Sequence, residues 1–130
     1  QKMKEKRGRI LPSDAIGYSA REMALDIGAK YIVVATISGS TARMISRNRP
    51  QTPIIAVSPN KKLVNKLSLL WGINSYFMPF SASTNEWIKK TENLLKKEGL
   101  VKKGDTIIMV AAYPFDIVCH TNLVRIHTIE

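Results

Sequence analysis

The sequence predicts an α/β fold, a three-layer α/β/α sandwich around a mostly parallel five-stranded sheet with the last strand antiparallel at the edge. Short β-branched apolar segments alternate with helical segments from Tyr31 to Val110. This alternation requires a parallel sheet with helices on both faces and right-handed crossovers. The final apolar segment alternates apolar and polar residues, a pattern that is typical of an edge strand.

The first predicted helix follows a highly charged stretch. We interpret residues 1–12 as a basic N-terminal tail or linker, followed by one domain over residues 13–130. Apolar residues spaced by three and four predict a helix that starts at Ser13 or Asp14 and ends before Gly28. A strand comes next at residues 31–36, apolar throughout as a strand covered on both faces should be.

The following segments continue the same alternation, with prolines, glycines and serines at the boundaries. The remaining predicted helices cover residues 41–49, 61–70 and 84–98, and the remaining strands cover residues 54–58, 73–78, 106–112 and 123–129. In the final strand, His127 alternates with Ile126 and is therefore expected on the polar side.

Composition excludes several classes of protein. Lys and Arg number 20 against 10 Asp and Glu, a net charge of +10 that makes an anionic partner worth considering. The lysines are scattered and no nucleic-acid motif is present, so we expect solvated helix faces and no nucleic-acid partner. No apolar run approaches the roughly 20 residues that span a bilayer, so no membrane partner is expected.

The single cysteine, Cys119, precludes an intrachain disulfide and indicates a reducing, intracellular compartment. With only two histidines beside it, a zinc ribbon or finger is not expected. We predict no metal site in this chain.

The most informative segment is residues 36–43, which read Thr-Ile-Ser-Gly-Ser-Thr-Ala-Arg and lie between a buried strand and a helix. Ligands of doubly wound folds bind at the carboxyl ends of strands, and a helix N-terminus attracts anions. Small hydroxyls donate hydrogen bonds without crowding, and a glycine lets the backbone approach a ligand. The alternative is that these hydroxyls only cap the helix. The candidate phosphate-binding residues are Thr36, Ser38, Gly39, Ser40, Thr41 and Arg43.

From this segment onward the sequence resembles the C-terminal domain of pyruvate kinase, in collinear order over residues 13–130. The segments that carry the resemblance are residues 32–34, 36–43, 49–50, 53–60, 70–73, 99–105 and 121–127.

The resemblance implies a parent enzyme that transfers a phosphoryl group between phosphoenolpyruvate and ADP, giving pyruvate and ATP in cytoplasmic glycolysis. That activity needs magnesium and usually potassium, and its catalytic residues lie in a separate barrel domain that this chain does not contain. The chain alone is therefore expected to be inactive and to need no cofactor. The resemblance further implies a phosphorylated effector at residues 36–43 and a homo-oligomer contact through the last strand and neighbouring helices.

Two departures from the family pattern bear on the effector. Residues 113–122 contain no glycine where the family loop is usually glycine-rich, and residues 83–95 contain no arginine. Lys89 or Lys90 could replace that arginine as a point charge. Fructose 1,6-bisphosphate, AMP, another sugar phosphate or no effector at all remain open, as does a freestanding phosphate- or nucleotide-binding module of the same fold.

Overall fold

The computed structural model describes residues 12–69, 73–80, 83–111 and 123–130. The charged segment before residue 12 and the segment between residues 111 and 123, which includes Cys119, lie outside the described residues. Within the described ranges the chain forms α1 (Pro12–Ile27), β1 (Tyr31–Ala35), α2 (Ser40–Arg47), β2 (Ile54–Ser58), α3 (Lys61–Leu67), β3 (Ile73–Phe77), α4 (Thr84–Lys97), β4 (Thr106–Ala111) and β5 (Leu123–Thr128).

The five strands form one sheet in the order β3-β2-β1-β4-β5. Strands β1 to β4 are parallel to one another, and β5 is antiparallel to β4 at the edge. The predicted fold class is thus confirmed. From β1 the chain first adds β2 and β3 on one side and then crosses back to add β4 on the other side. Such a reversal of strand order opens a crevice at the carboxyl end of β1.

The sheet separates two apolar cores of unequal helical cover. Helices α1, α2 and α3 pack on one face, and α4 packs on the other. Trp87 of α4 is completely buried in the second core, beneath the central strands. Central strands have apolar residues on both faces because both faces are covered. The three-layer architecture follows from this arrangement.

Close contact between α1 and α2 depends on Gly17. A Cβ atom at this position would overlap Met44 Sδ and lie 2.8 Å from Asn48 Nδ2. The missing side chain therefore lets α1 approach α2, the helix that follows the candidate phosphate loop. The side-chain amide of Asn48 donates to the Met44 carbonyl at 3.0 Å and so satisfies a carbonyl near the end of α2.

Helices α2 and α3 are shorter than their sequence patterns predict. Helix α2 ends at Arg47 because Arg49 has a left-handed φ of 47° and Pro50 follows it. Helix α3 ends at Leu67, and Ser68 closes its last turn.

The polar side of β5 faces α4. His127 lies on that side, as the alternation predicts, but it is only 9% exposed and shares a 2.7 Å hydrogen bond with Glu92. Ile126, on the opposite side, is 51% exposed.

No helix in the described ranges is long and apolar enough to cross a membrane.

Candidate functional site

The candidate site is the turn between β1 and α2, at the carboxyl end of the strand at the centre of the sheet. Its start is fixed by the sheet, because the Thr36 amide donates to the Val57 carbonyl at 3.1 Å. Its end is fixed by the helix, because the Arg43 amide donates to the Gly39 carbonyl at 3.0 Å. These hydrogen bonds hold both ends of the turn and so define the geometry of the side chains between them.

Thr36 and Gly39 shape the turn from within. Thr36 is buried, and its Oγ1 accepts the Gly39 amide hydrogen at 2.8 Å. Gly39 has a φ of 92°, a left-handed conformation that favours glycine, and a Cβ there would lie 2.9 Å from Leu63 Cδ1. The left-handed backbone therefore favours glycine here, and a larger residue would also displace the end of the Leu63 side chain.

Ser38 and Ser40 form the exposed polar surface of the turn. Their Oγ atoms are 3.0 Å apart, and the Ser40 amide also donates to Ser38 Oγ at 3.3 Å. Both residues are exposed. Two hydroxyls at this separation are well placed to donate to two oxygens of one phosphate.

Arg43 brings positive charge back to the turn from one turn into α2. Its Cζ and one terminal nitrogen lie 3.5 Å from the position that a Cβ on Gly39 would occupy. The guanidinium therefore lies against the glycine while the residue as a whole remains exposed. An anion held by the serine hydroxyls would lie close to this charge.

The N-terminus of α2 differs from those of the two later helices. The N-cap of α2 is Gly39, which has no side chain to cap the helix, and Ser38 Oγ accepts the amide of Ser40, the first helical residue. In α3, Asn60 Oδ1 accepts the amides of Lys62 and Leu63 at 3.1 and 3.2 Å, and in α4, Ser83 Oγ accepts the Glu86 amide at 3.3 Å. Capping by Ser38 therefore remains an alternative to phosphate binding at this turn.

The structure brings the six predicted site residues into one turn but gives them different positions. Ser38, Ser40 and Arg43 are exposed, whereas Thr36, Gly39 and Thr41 are buried. Sequence reasoning missed Leu63, which closes the turn from α3. No local signal identifies it, because its contact with Gly39 exists only when α3 packs beside α2.

Other predicted groups fall elsewhere. Lys89 and Lys90 are exposed on α4, which covers the opposite face of the sheet from α2. Among the residues that the structure describes, no three His, Cys, Asp or Glu side chains are grouped as a metal site would require.

Comparison with known proteins gives one consistent result. Residues 14–127 match the family described as pyruvate kinase, alpha/beta domain. The chain is 36% identical over 130 residues to a pyruvate kinase of Geobacillus stearothermophilus, covering all of this chain and 22% of that protein. It is 35% identical over 118 residues to a pyruvate kinase of Clostridium acetobutylicum, covering 91% of this chain and 25% of that protein.

Solved structures agree with the sequence comparisons. A Cryptosporidium parvum pyruvate kinase in complex with ADP superposes with a TM-score of 0.80 at 28% identity, covering 95% of this chain and 25% of that one. A second structure of the Cryptosporidium parvum enzyme gives a TM-score of 0.79 at 30% identity, covering 93% and 23%. The chain therefore spans about a quarter or less of the length of these proteins.

Proposed function

This chain belongs to the family of pyruvate kinase alpha/beta domains, and we propose that it is the regulatory and subunit-contact domain of a pyruvate kinase, with a phosphorylated effector bound at residues 36–43. One observation carries the proposal. The exposed hydroxyls of Ser38 and Ser40 lie 3.0 Å apart at the start of a helix whose N-cap is a glycine, with the Arg43 guanidinium against Gly39. Hydroxyls, helix amides and a guanidinium are the donors that phosphate accepts best.

Each residue has a separate role in this proposal. The hydroxyls of Ser38 and Ser40 both donate to phosphate oxygens, which replaces the hydrogen bond between them. Arg43 supplies the positive charge that the rest of the turn lacks. Thr36 contacts no ligand and holds the Gly39 amide, so it positions the turn. A monophosphate ester fits this set, because two hydroxyls and one guanidinium surround one tetrahedral anion.

We assign phosphoryl transfer to the part of the parent polypeptide that lies outside this chain, in the barrel domain that the family implies. The support is length, since the chain covers 22% of the Geobacillus relative and 25% of the Clostridium relative. The 130-residue chain mixed with phosphoenolpyruvate, ADP and magnesium should form no pyruvate. Measurable turnover that survives repurification would contradict this assignment.

Effector binding is tested by calorimetry on the purified chain with AMP, ribose 5-phosphate, fructose 1,6-bisphosphate and inorganic phosphate. We expect at least one phosphate ester to bind more tightly than inorganic phosphate. Ser38→Ala should weaken that binding about fivefold, which corresponds to one hydrogen bond of about 1 kcal/mol. Ser19→Ala, at an exposed serine on α1, is the control and should change nothing.

The contribution of Arg43 has its own matched control on the same helix. Arg43→Gln should weaken binding about tenfold because a charge-assisted hydrogen bond is lost. Arg47→Gln, one turn further along α2 and equally exposed, should leave the affinity unchanged. If all four compounds fail to bind at millimolar concentration, the effector proposal is wrong for this protein.

The subunit contact is proposed at β5, whose outer edge no described strand pairs and whose Ile126 is 51% exposed. Antiparallel pairing of two β5 edges across a two-fold axis would satisfy these backbone groups. Sedimentation equilibrium at high concentration should show a dimer or larger species. A strictly monomeric mass would count against the contact.

A further inference from the structure

The net positive charge of the chain is concentrated in one stretch of sequence, because that stretch contains no acidic residue. Between residues 27 and 85 there are seven Lys and Arg residues and no Asp or Glu. This stretch forms β1, α2, β2, α3 and β3, so α3 and the edge strand β3 carry no acidic side chain. All ten acidic residues lie in the flanking segments.

Three of these cations lie on α3, the helix next to the edge strand β3. Lys61, Lys62 and Lys66 are exposed, and none of them takes part in an ion pair among the described residues. Lys61 Nζ lies 4.8 Å from the centre of the Phe77 ring. Lys61 of α3 thus lies against the last residue of β3.

The outer edge of β3 lacks the features that usually protect an edge strand. Within the described residues β3 pairs only with β2, which leaves alternate backbone amides and carbonyls on its other side unpaired. Its sequence, Ile-Asn-Ser-Tyr-Phe, contains neither a charged residue nor a proline. Phe77 is 44% exposed at its carboxyl end. Edges of this kind accept an additional strand.

We infer that β3 is a docking edge for an extended acidic segment of another protein, which would add to the sheet as a sixth strand. Backbone hydrogen bonds to β3 would supply affinity, and acidic side chains beside Lys61, Lys62 and Lys66 would select the partner. Phe77 would receive an apolar side chain of the segment.

Charge complementarity favours an acidic segment over a second copy of the chain as the binding partner of this edge. Two β3 edges brought together would place two sets of α3 lysines side by side, and like charges in contact disfavour association. The inference goes beyond the proposed effector and subunit contact, because neither residues 36–43 nor β5 takes part in it.

The probe for the test is an acetylated hexapeptide that alternates glutamate with valine, labelled for fluorescence anisotropy. At about 0.1 M ionic strength, where charge screening is moderate, we expect it to bind with a Kd below about 100 µM. Amide hydrogen exchange should slow at outward-facing positions of β3. The same peptide with lysine in place of glutamate, and one with alternate amides N-methylated, should each bind at least tenfold more weakly.

Two matched charge reversals locate the binding surface. Lys61→Glu with Lys62→Glu should weaken peptide binding at least tenfold. Acidic residues in the first turn of α3 suit the helix dipole, so this variant is expected to remain folded. Lys89→Glu with Lys90→Glu, an equally exposed pair on α4, should change the affinity less than twofold.

Several results would overturn the inference. Equal weakening of peptide binding by both charge reversals would show that the interaction depends only on the net charge of the chain. Unchanged binding of the N-methylated peptide would exclude strand addition. A Kd above about 1 mM for the glutamate peptide would show that the edge does not bind such segments. Slower exchange of β3 with rising protein concentration alone would identify a second copy as the occupant. Tighter, Lys61-dependent binding of a single-stranded oligonucleotide would identify a nucleic acid.

Discussion

The two edge strands of the sheet, β5 and β3, are held to the molecule by different interactions. At the end of β5, Glu92 Oε2 accepts the Glu130 amide at 3.1 Å and shares a 2.7 Å hydrogen bond with His127. Lys96 lies 3.6 Å from the other Glu92 oxygen and donates to the Glu130 carbonyl. At β3, the contacts include pairing with β2, the cation–π contact between Lys61 and Phe77, and packing of Ile73 and Tyr76 against the two cores.

This difference shows how a charged cluster can add to apolar packing at an edge strand. His127 of β5 is turned towards α4 and shares a hydrogen bond with Glu92. Leu123 and Val124 pack against the two cores, and Ile126 is exposed. Strand β3 carries no charged side chain, so no comparable cluster holds it among the described residues. Breaking the Glu92 cluster should therefore affect β5 far more than any comparable change affects β3.

The largest effect is expected from Glu92→Ala. The change leaves His127 and the Glu130 amide without their acceptor in a mostly buried position, so we expect a loss of about 2 kcal/mol in the free energy of unfolding. Asn93→Ala, at the adjacent exposed position of α4, should cost less than about 0.5 kcal/mol. Urea denaturation measures both. Equal losses in the two variants would show that Glu92 does not hold β5.

Acid should weaken β5 through the same carboxylate. Burial acts to raise the pKa of Glu92, but hydrogen bonds from His127 and the Glu130 amide, with the charges of His127 and Lys96, lower it below the ordinary value of 4.5. A carboxyl whose pKa is lower in the folded chain stabilises folding above its unfolded pKa. That stability is lost as the pH falls from about 4.5 through the folded pKa.

The measurement is amide exchange or urea denaturation of the chain across this acidic range. Glu92→Gln, which cannot ionise, should flatten the pH dependence of β5 while leaving that of β3 unchanged. An unaltered profile in the variant would assign the acid sensitivity to other carboxylates, such as Asp105, whose pKa is lowered by the hydrogen bond from the Lys102 amide and by Lys30.

A smaller effect of opposite sign is expected on β3. Ser75 Oγ is buried and has no hydrogen-bond partner among the described residues. Ser75→Ala removes this unsatisfied group, so we expect a gain of about 0.5 kcal/mol in the free energy of unfolding. Ser68→Ala is the control, since its hydroxyl donates to the Asn65 carbonyl at 2.7 Å and its loss should destabilise slightly. A clear loss at Ser75 would reveal a partner for this hydroxyl.

The smallest change in folding stability is expected at the exposed side of β5. Ile126→Thr should alter the free energy of unfolding of the monomer by less than about 0.5 kcal/mol, because half of the side chain is already in water. Ile108→Thr, at the buried position paired with it on β4, should cost about 2 kcal/mol or more. Sedimentation of the Ile126 variant then reports on the proposed subunit contact separately from folding. A large loss of monomer stability would contradict the exposure of Ile126.

Local patterns were sufficient for most of the architecture. The apolar runs of β1, β2 and β4 predict strands that are covered on both faces, and the structure buries them so. The alternation in β5 predicts an edge strand, and it lies at the edge. The serine-rich segment after β1 was identifiable because strand order alone places it at the carboxyl end of the sheet.

The sequence was less informative where distant elements meet. Residues 36–43 contain six polar or glycine positions of similar chemistry, yet only packing divides them into exposed Ser38, Ser40 and Arg43 and buried Thr36, Gly39 and Thr41. The partner of His127 could not be predicted, because Glu92 is 35 residues away and reaches it only after α4 has packed across the sheet.

The amino-acid sequence by itself therefore determined the order of helices and strands, the parallel sheet and the family, since hydrophobic periodicity and short motifs are local properties of the chain. Only the tertiary structure decided which side of β5 is buried and which hydroxyls at the candidate site are exposed. The reason is physical. Burial of a polar group depends on whether another element brings it a partner, and that partner is set by how helices cross the sheet.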